Sequence, residues 1–389
     1  MMVDGDETVE GRDSQSSVNS AAETTELAIP RLNLYPNNNH ISDSYDDLEL
    51  EFSSSVLRSL EKYLPMDMLT ANREEKGKFM SDILGKYISR EEYSQAKRQK
   101  TYRQEITSNY QPRFKGLYKL NPKLFLLPSF RMAISENTEE SFRRIISEPF
   151  HGVFVFKMFQ PEFFEKLLVE VENFRKWAHD ETNFTIRRPD NTSKYGVVLD
   201  DFGLDIMLKQ LMEEFIFPIC KGKDIFLLKC FRKTFVVFFP EVCGTMFDSH
   251  YGFLTENGED RDADVGFHVE DSDITLNVCL SKQGEGGEIF FAGTRCKKHM
   301  DTDPKPEELF DYCHIPGQAI LHRGCHGHGA RATTSGRRAN MILWCQNSLF
   351  REMQTYEPEF SDWCGQCVHE MKENKSQILA VKRKEKKVT

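Results

Sequence analysis

Four short apolar runs constrain this chain more than any other feature. They are ITLNVCL (274–280), EIFFAG (288–293), GQAILHRG (317–324) and NMILWCQ (340–346), separated by Gly-rich turns. Runs this short and this rich in β-branched and aromatic residues read as strands. Upstream, Phe163, Phe164, Leu167, Leu168, Val171 and Phe174 make one stripe over four turns behind Pro161, a residue suited to a first helical position. Helices ahead of many short antiparallel strands predict an α+β chain whose sandwich or barrel carries a helical layer on one side.

The spacing divides the chain into a disordered acidic tail at 1–45, a helical region at 46–145, a β-rich domain at 146–350 with its core at about 245–348, and an extension at 351–389. Within residues 1–50, eleven Asp/Glu stand against two Arg, so that segment supplies −9 of the net −10. The rest is nearly neutral, which argues against direct nucleic-acid binding through a broad basic surface. Basic and aromatic residues do interleave at 97–119, from Lys97 to Lys119; the plainer reading is a solvated helix and a Pro-broken loop. No run is long and apolar enough to span a membrane, and the acidic N-terminus is unlike a secretory signal. Ten Cys without framework spacing fit reduced thiols inside a cell.

Five of the eleven His fall between His299 and His328. Ahead of them, His268 and Glu270 are two apart, so on a strand both point to one face. Two imidazoles and one carboxylate on one side of an iron leave the opposite positions open, as non-haem oxygenases require; zinc competes for such a set. A guanidinium after Ser335-Gly336 could grip a carboxylate bidentately. Trp363-Cys364-Gly-Gln-Cys367 with His369 offers half of a zinc site, a redox pair or ordinary thiols.

His268-x-Glu270, TLNVCL, Gly286-Gly287-Glu288-Ile289-Phe290-Phe291, His328 and Gly336-x-Arg338 resemble a prolyl 4-hydroxylase-like 2-oxoglutarate/Fe(II)-dependent dioxygenase. Longer stretches, among them EESFRRIISEPFHGVFVFKMFQPEF and NMILWCQNSLFRE, resemble the plant Incurvata/Cupuliformis type, over about residues 31–370. The resemblance implies a double-stranded β-helix (jelly roll). It implies Fe(II) on His268, Glu270 and His328, with 2-oxoglutarate anchored by Arg338, ten residues past His328; counting ten from His326 or His322 reaches Gly336 or Ala332, neither cationic. It further implies L-ascorbate as reductant and hydroxylation of a protein substrate or chromatin-linked demethylation. Chromatin or Polycomb-type repressive complexes are then the expected partners, and the nucleus rather than the cytoplasm the expected location. The basic tail Lys382-Arg383-Lys384 with Lys386-Lys387 fits an import signal or a solvated end.

Three positions depart from the family pattern. Glu270 stands where Asp is usual, Asn257 where many relatives carry Tyr, and residues 222–237 read as an insertion. They support an alternative, a catalytically impaired fold that serves as a chromatin-associated binding module.

Overall fold

The last eight strands are shared equally between two facing sheets. In the computed structural model these are β4 (Ser249–Gly258), β5 (Val265–His268), β6 (Ile274–Gln283), β7 (Ile289–Thr294), β8 (Phe310–Tyr312), β9 (Gln318–Arg323), β10 (His326–Ala330) and β11 (Arg337–Gln346). With the earlier β1 (Ser147–Phe150), β2 (Val153–Lys157) and β3 (Val197–Val198), one sheet runs β1-β2-β9-β6-β11-β4-β3 and the other β5-β10-β7-β8. Every pairing is antiparallel. The chain crosses from the large sheet to the small one and back at β4-β5-β6, and again at β9-β10-β11, which is the jelly roll. The structure describes residues 31–33, 35–37, 39–48, 52, 54–87, 101–181, 184–189, 195–221, 238–239, 242, 246–261, 264–354 and 363–388. The insertion-like stretch at 222–237 lies outside the described residues.

The central strands read as unbroken apolar runs because both their faces are covered. Leu276, Val278 and Leu280 of β6 and Met341 and Leu343 of β11 join one core cluster with Phe163, Leu167, Val171 and Phe174 of the helix Pro161–Lys176. The interleaved positions Thr275, Asn277, Asn340 and His322 are buried on the other face, inside the roll. The helical stripe therefore does what its spacing implies, with Phe164 and Leu168 at its half-buried margin.

In the described part of the basic-aromatic stretch the aromatics turn inward, Tyr110 buried and Phe114 and Tyr118 half-buried, while Arg113, Lys115 and Lys119 stay exposed. Residues 101–109 are helical. Beyond them, the fully buried Glu170 carboxylate accepts hydrogen bonds from the Tyr110 hydroxyl (2.6 Å), the Tyr118 hydroxyl (3.0 Å) and the Arg113 and Phe114 backbone N–H groups (3.1 and 2.7 Å). A buried carboxylate needs such partners, and they come from the segment read in sequence as a Pro-broken loop. No described helix is long and apolar enough to cross a membrane.

The tail boundary at residue 45 falls too late. Leu32 and Tyr45 are buried against Val56, Leu57, Leu60, Met80 and Ile83 of the helices Ser54–Glu61 and Arg73–Leu84. The Asn33 N–H donates to the Tyr63 carbonyl (2.7 Å). Scattered single apolar residues in a polar stretch give no periodic signal, which is why the sequence reading places them in the tail. A buried ion network fastens the segment: Lys76 Nζ lies 2.9 Å from Glu61 and 2.7 Å from Asp43, and His40 Nε2 lies 2.8 Å from Glu61. Glu61→Ala strips the buried Lys76 of its innermost partner, and such a loss costs about 3–5 kcal/mol. Hydrogen exchange should quicken at 31–48 and 54–84 and stay unchanged in the jelly roll; unchanged exchange at 31–48 would show that the network does not hold the segment.

Candidate active site

His268 ends β5, the outermost strand of the small sheet, and stands directly opposite His328 in the central strand β10. Their ring centres are 4.6 Å apart. Glu270 does not continue the strand, as same-face spacing implies; it lies two residues past its end. There its N–H donates to the Gly324 carbonyl (2.9 Å), which draws the chain toward the end of β9. The longer Glu side chain spans the gap: Oε2 accepts from the Thr275 hydroxyl, and Oε1 lies 3.6 Å from His328 Nε2. One donor atom from each of His268, Glu270 and His328 lies within 4.8 Å of the others.

The backbone fixes the tautomers. His268 Nδ1 faces the Gly266 carbonyl and His328 Nδ1 the His326 carbonyl, both at 2.9 Å. A carbonyl only accepts, so each Nδ1 carries the hydrogen and each Nε2 keeps its lone pair for a metal. Burial would push the Glu270 carboxyl up. The His328 and His322 imidazoles and the Thr275 hydroxyl overcome that and hold the acid well below its ordinary range. Burial pulls His268 down, helped by the neighbouring His328. His328 is raised despite burial because Glu270 faces it. An anionic carboxylate beside two imidazoles with inward lone pairs is a donor set that fits a divalent transition metal with bonds of about 2 Å.

His322 and His326 are buried in the same region. The His322 ring lies 4.7 Å from that of His328, its Nδ1 donates to the Arg323 carbonyl (2.8 Å), and its Nε2 has no partner. Burial pushes His322 down to about 4, so it is neutral at pH 7. It faces Thr275 across β6, the residue that holds Glu270. The sequence reading weighs His322 only as a rival ligand; its place in the wall of the site follows from a strand pairing that spacing does not reveal.

A second polar group occupies the same interior. Arg338, 5% exposed, opposes Asn257 of β4 and Lys282 of β6. Among the described residues no carboxylate lies within ion-pair distance of it; one guanidinium nitrogen donates to the Gly287 carbonyl, and its Nε has no partner. The Thr333 hydroxyl beside Gly287 and the Asn340 Oδ1 are also buried without partners. Asn340 Nδ2 donates to Asn277 Oδ1 (2.6 Å) and lies 3.3 Å from His314 Nδ1. The Arg338 Nε and the Thr333 hydroxyl, donors without acceptors of their own, suit an anion that the protein does not supply. Gly336 sets up the position: its φ is +71°, and a Cβ there would stand 2.1 Å from the Gln283 carbonyl oxygen. Arg337 emerges on the opposite face, exposed and paired with Asp260.

A model described as an OGFOD2-like domain matches residues 106–244, ending just before β4. The chain is 53% identical over 384 residues to the 2-oxoglutarate and iron-dependent oxygenase domain-containing protein CP2 of Arabidopsis thaliana, covering 98% of this chain and 93% of that one. It is 49% identical over 337 residues to ICU11 of the same plant, similarly described, covering 87% and 81%. A solved prolyl hydroxylase from Trichoplax adhaerens, in complex with a hypoxia inducible factor oxygen degradation domain peptide fragment, matches at 10% identity with a TM-score of 0.36, covering 59% of this chain and 94% of that one.

Proposed function

The chain belongs to the 2-oxoglutarate and iron-dependent oxygenase domain-containing family, and we propose that His268, Glu270 and His328 hold its Fe(II) while Arg338 anchors its 2-oxoglutarate. It is an oxygenase dependent on those two species. The observation that carries the residue assignment is the pairing of a compact two-imidazole, one-carboxylate set with a buried guanidinium that has no carboxylate of its own, both inside one jelly roll.

Iron bound there supplies the chemistry that couples oxidative decarboxylation of 2-oxoglutarate, giving succinate and CO₂, to insertion of one oxygen atom of O₂ into a C–H bond. The protein's own contribution is placement. The Gly266 and His326 carbonyls lock both imidazoles with Nε2 inward. Thr275 holds one oxygen of Glu270 and leaves the other free to bind. Arg338 offers a bidentate fork to the far carboxylate of the cosubstrate, and the unpartnered Thr333 hydroxyl offers it a further donor. The buried wall formed by Phe291, Ile320 and His322 limits water, which strengthens these contacts.

The substrate side of this reading is a polypeptide, with chromatin proteins in the nucleus as its expected source and ascorbate as the reductant. Of the triad only His268 is half-exposed, so approach is from the β5 side. Among the described residues, β5 pairs only with β10, and its outer edge is open to an extended peptide that could add a strand there. The test is incubation of a nuclear protein extract with the full chain, Fe(II), 2-oxoglutarate and ascorbate, read by mass spectrometry. Peptides gaining one oxygen should appear with the wild type and be missing with His328→Ala. The same peptides gaining oxygen in both samples would overturn the polypeptide reading.

A further inference from the structure

The pair Cys364 and Cys367 finds its complement 65 or more residues earlier in the chain. Cys296 and His299 flank a tight turn after β7, and Cys364 and Cys367 flank the start of the helix Gly365–Val388. Each pair is three residues apart, a spacing that brings both side chains to one side of a helical turn. His369 takes no part; it pairs with Glu373 at 2.9 Å on the surface.

From this convergence we propose a structural zinc site with the ligands Cys296, His299, Cys364 and Cys367. The four donor atoms lie within 4.8 Å of one another. Cys296 Sγ is 3.7 Å from Cys367 Sγ, and His299 Nδ1 is 3.3, 3.6 and 3.4 Å from the sulfurs of Cys296, Cys364 and Cys367. A tetrahedral zinc with bonds of about 2.3 Å to sulfur and 2.0 Å to nitrogen has edges of about 3.8 Å between sulfurs and 3.5 Å between sulfur and nitrogen. The observed edges match. The 3.7 Å separation is far too long for a disulfide at about 2.05 Å, and three cysteines would leave one thiol over.

All four residues are buried, at 8, 4, 0 and 5% exposure in chain order. His299 Nε2 lies 3.1 Å from the Glu370 carboxylate. Nδ1 faces the three sulfurs, and Nε2 lies on the carboxylate side with no hydrogen-bond partner of its own, where a small turn of Glu370 would set the carboxylate behind a zinc-bound histidine. Three thiols that lose their protons and a neutral imidazole are soft donors that select zinc, whereas the two imidazoles and carboxylate of the jelly roll suit iron. The site would act as a clasp. It joins the C-terminal helix to a segment that borders the iron strand, since Thr294 pairs with His326 and the Arg295 N–H donates to the Cys325 carbonyl (2.7 Å).

The experiment is metal analysis of the full chain after incubation with zinc chloride and removal of loose metal, with thiol alkylation in parallel. One zinc per chain should remain in the wild type and in His328→Ala, with Cys296, Cys364 and Cys367 shielded from alkylation. Cys367→Ser and Cys296→Ser should lose it, and Glu370→Gln should weaken zinc binding by about 10–100-fold. Zinc lost in His328→Ala but kept in Cys367→Ser would overturn the proposal. If the cysteine variants do not fold, the wild type decides alone: no retained zinc, freely alkylated thiols, or a disulfide among the three would each overturn it.

Discussion

Replacing His328 with alanine is expected to lower Fe(II) affinity by at least about 100-fold and to abolish succinate formation. Substitutions behind a ligand, one shell out, already cost about 10–100-fold in metal affinity, and removing the ligand itself costs no less. His328 also sits at the centre of the electrostatics, facing Glu270 at 3.6 Å and His268 across the strand pair. Glu270→Gln should be nearly as damaging, because it keeps the shape and a partner for Thr275 but loses the anionic charge. His322→Gln should cost less, since that imidazole lines the site without completing the set. Equilibrium binding of Fe(II) without oxygen reads all three. If His322→Gln were the variant that lost iron while His328→Ala kept it, the second imidazole would have been assigned to the wrong strand.

Arg338→Ala should raise the 2-oxoglutarate requirement steeply while leaving Fe(II) binding intact. Losing one partner of a desolvated charge pair costs roughly 2–5 kcal/mol, which is about 30-fold at the low end. Arg338→Lys should lose less, because a charge remains without the fork. Arg337→Ala should be nearly silent, since Arg337 is exposed and paired with Asp260 on the other face. Succinate formation measured against 2-oxoglutarate concentration separates these variants. Damage from Arg337→Ala with a silent Arg338→Ala would shift the register of β11 by one residue.

The candidate ligands were legible from local pattern and from resemblance: His268 and Glu270 stand two apart, and the resemblance puts a cationic anchor ten residues past His328. The strand argument behind the first pair fails in the fold, because β5 ends at His268 and Glu270 reaches the site from beyond it. The jelly roll was legible from short apolar runs and, more fully, from resemblance. What stayed hidden depended on contacts between distant segments. The end of β5 at His268 is set by the bond from Glu270 to Gly324, which no local pattern announces. The place of His322 follows from its pairing with Thr275. Cys296 and His299 complete the cysteine pair of the C-terminal helix only because the fold brings that helix beside the end of β7. Leu32 and Tyr45 are buried by helices that begin later in the chain. The departure at Asn257 gains a context in the fold: that residue lies opposite Arg338 and is buried beside it.

The central claim is that this triad turns over 2-oxoglutarate, and it is tested most directly by succinate formation from the purified full chain with Fe(II), ascorbate and O₂. The wild type should form succinate in an iron-dependent manner, with none above background from His268→Ala, Glu270→Gln or His328→Ala. Equal succinate from wild type and Glu270→Gln, or none from a wild type shown to bind both Fe(II) and 2-oxoglutarate, would contradict it.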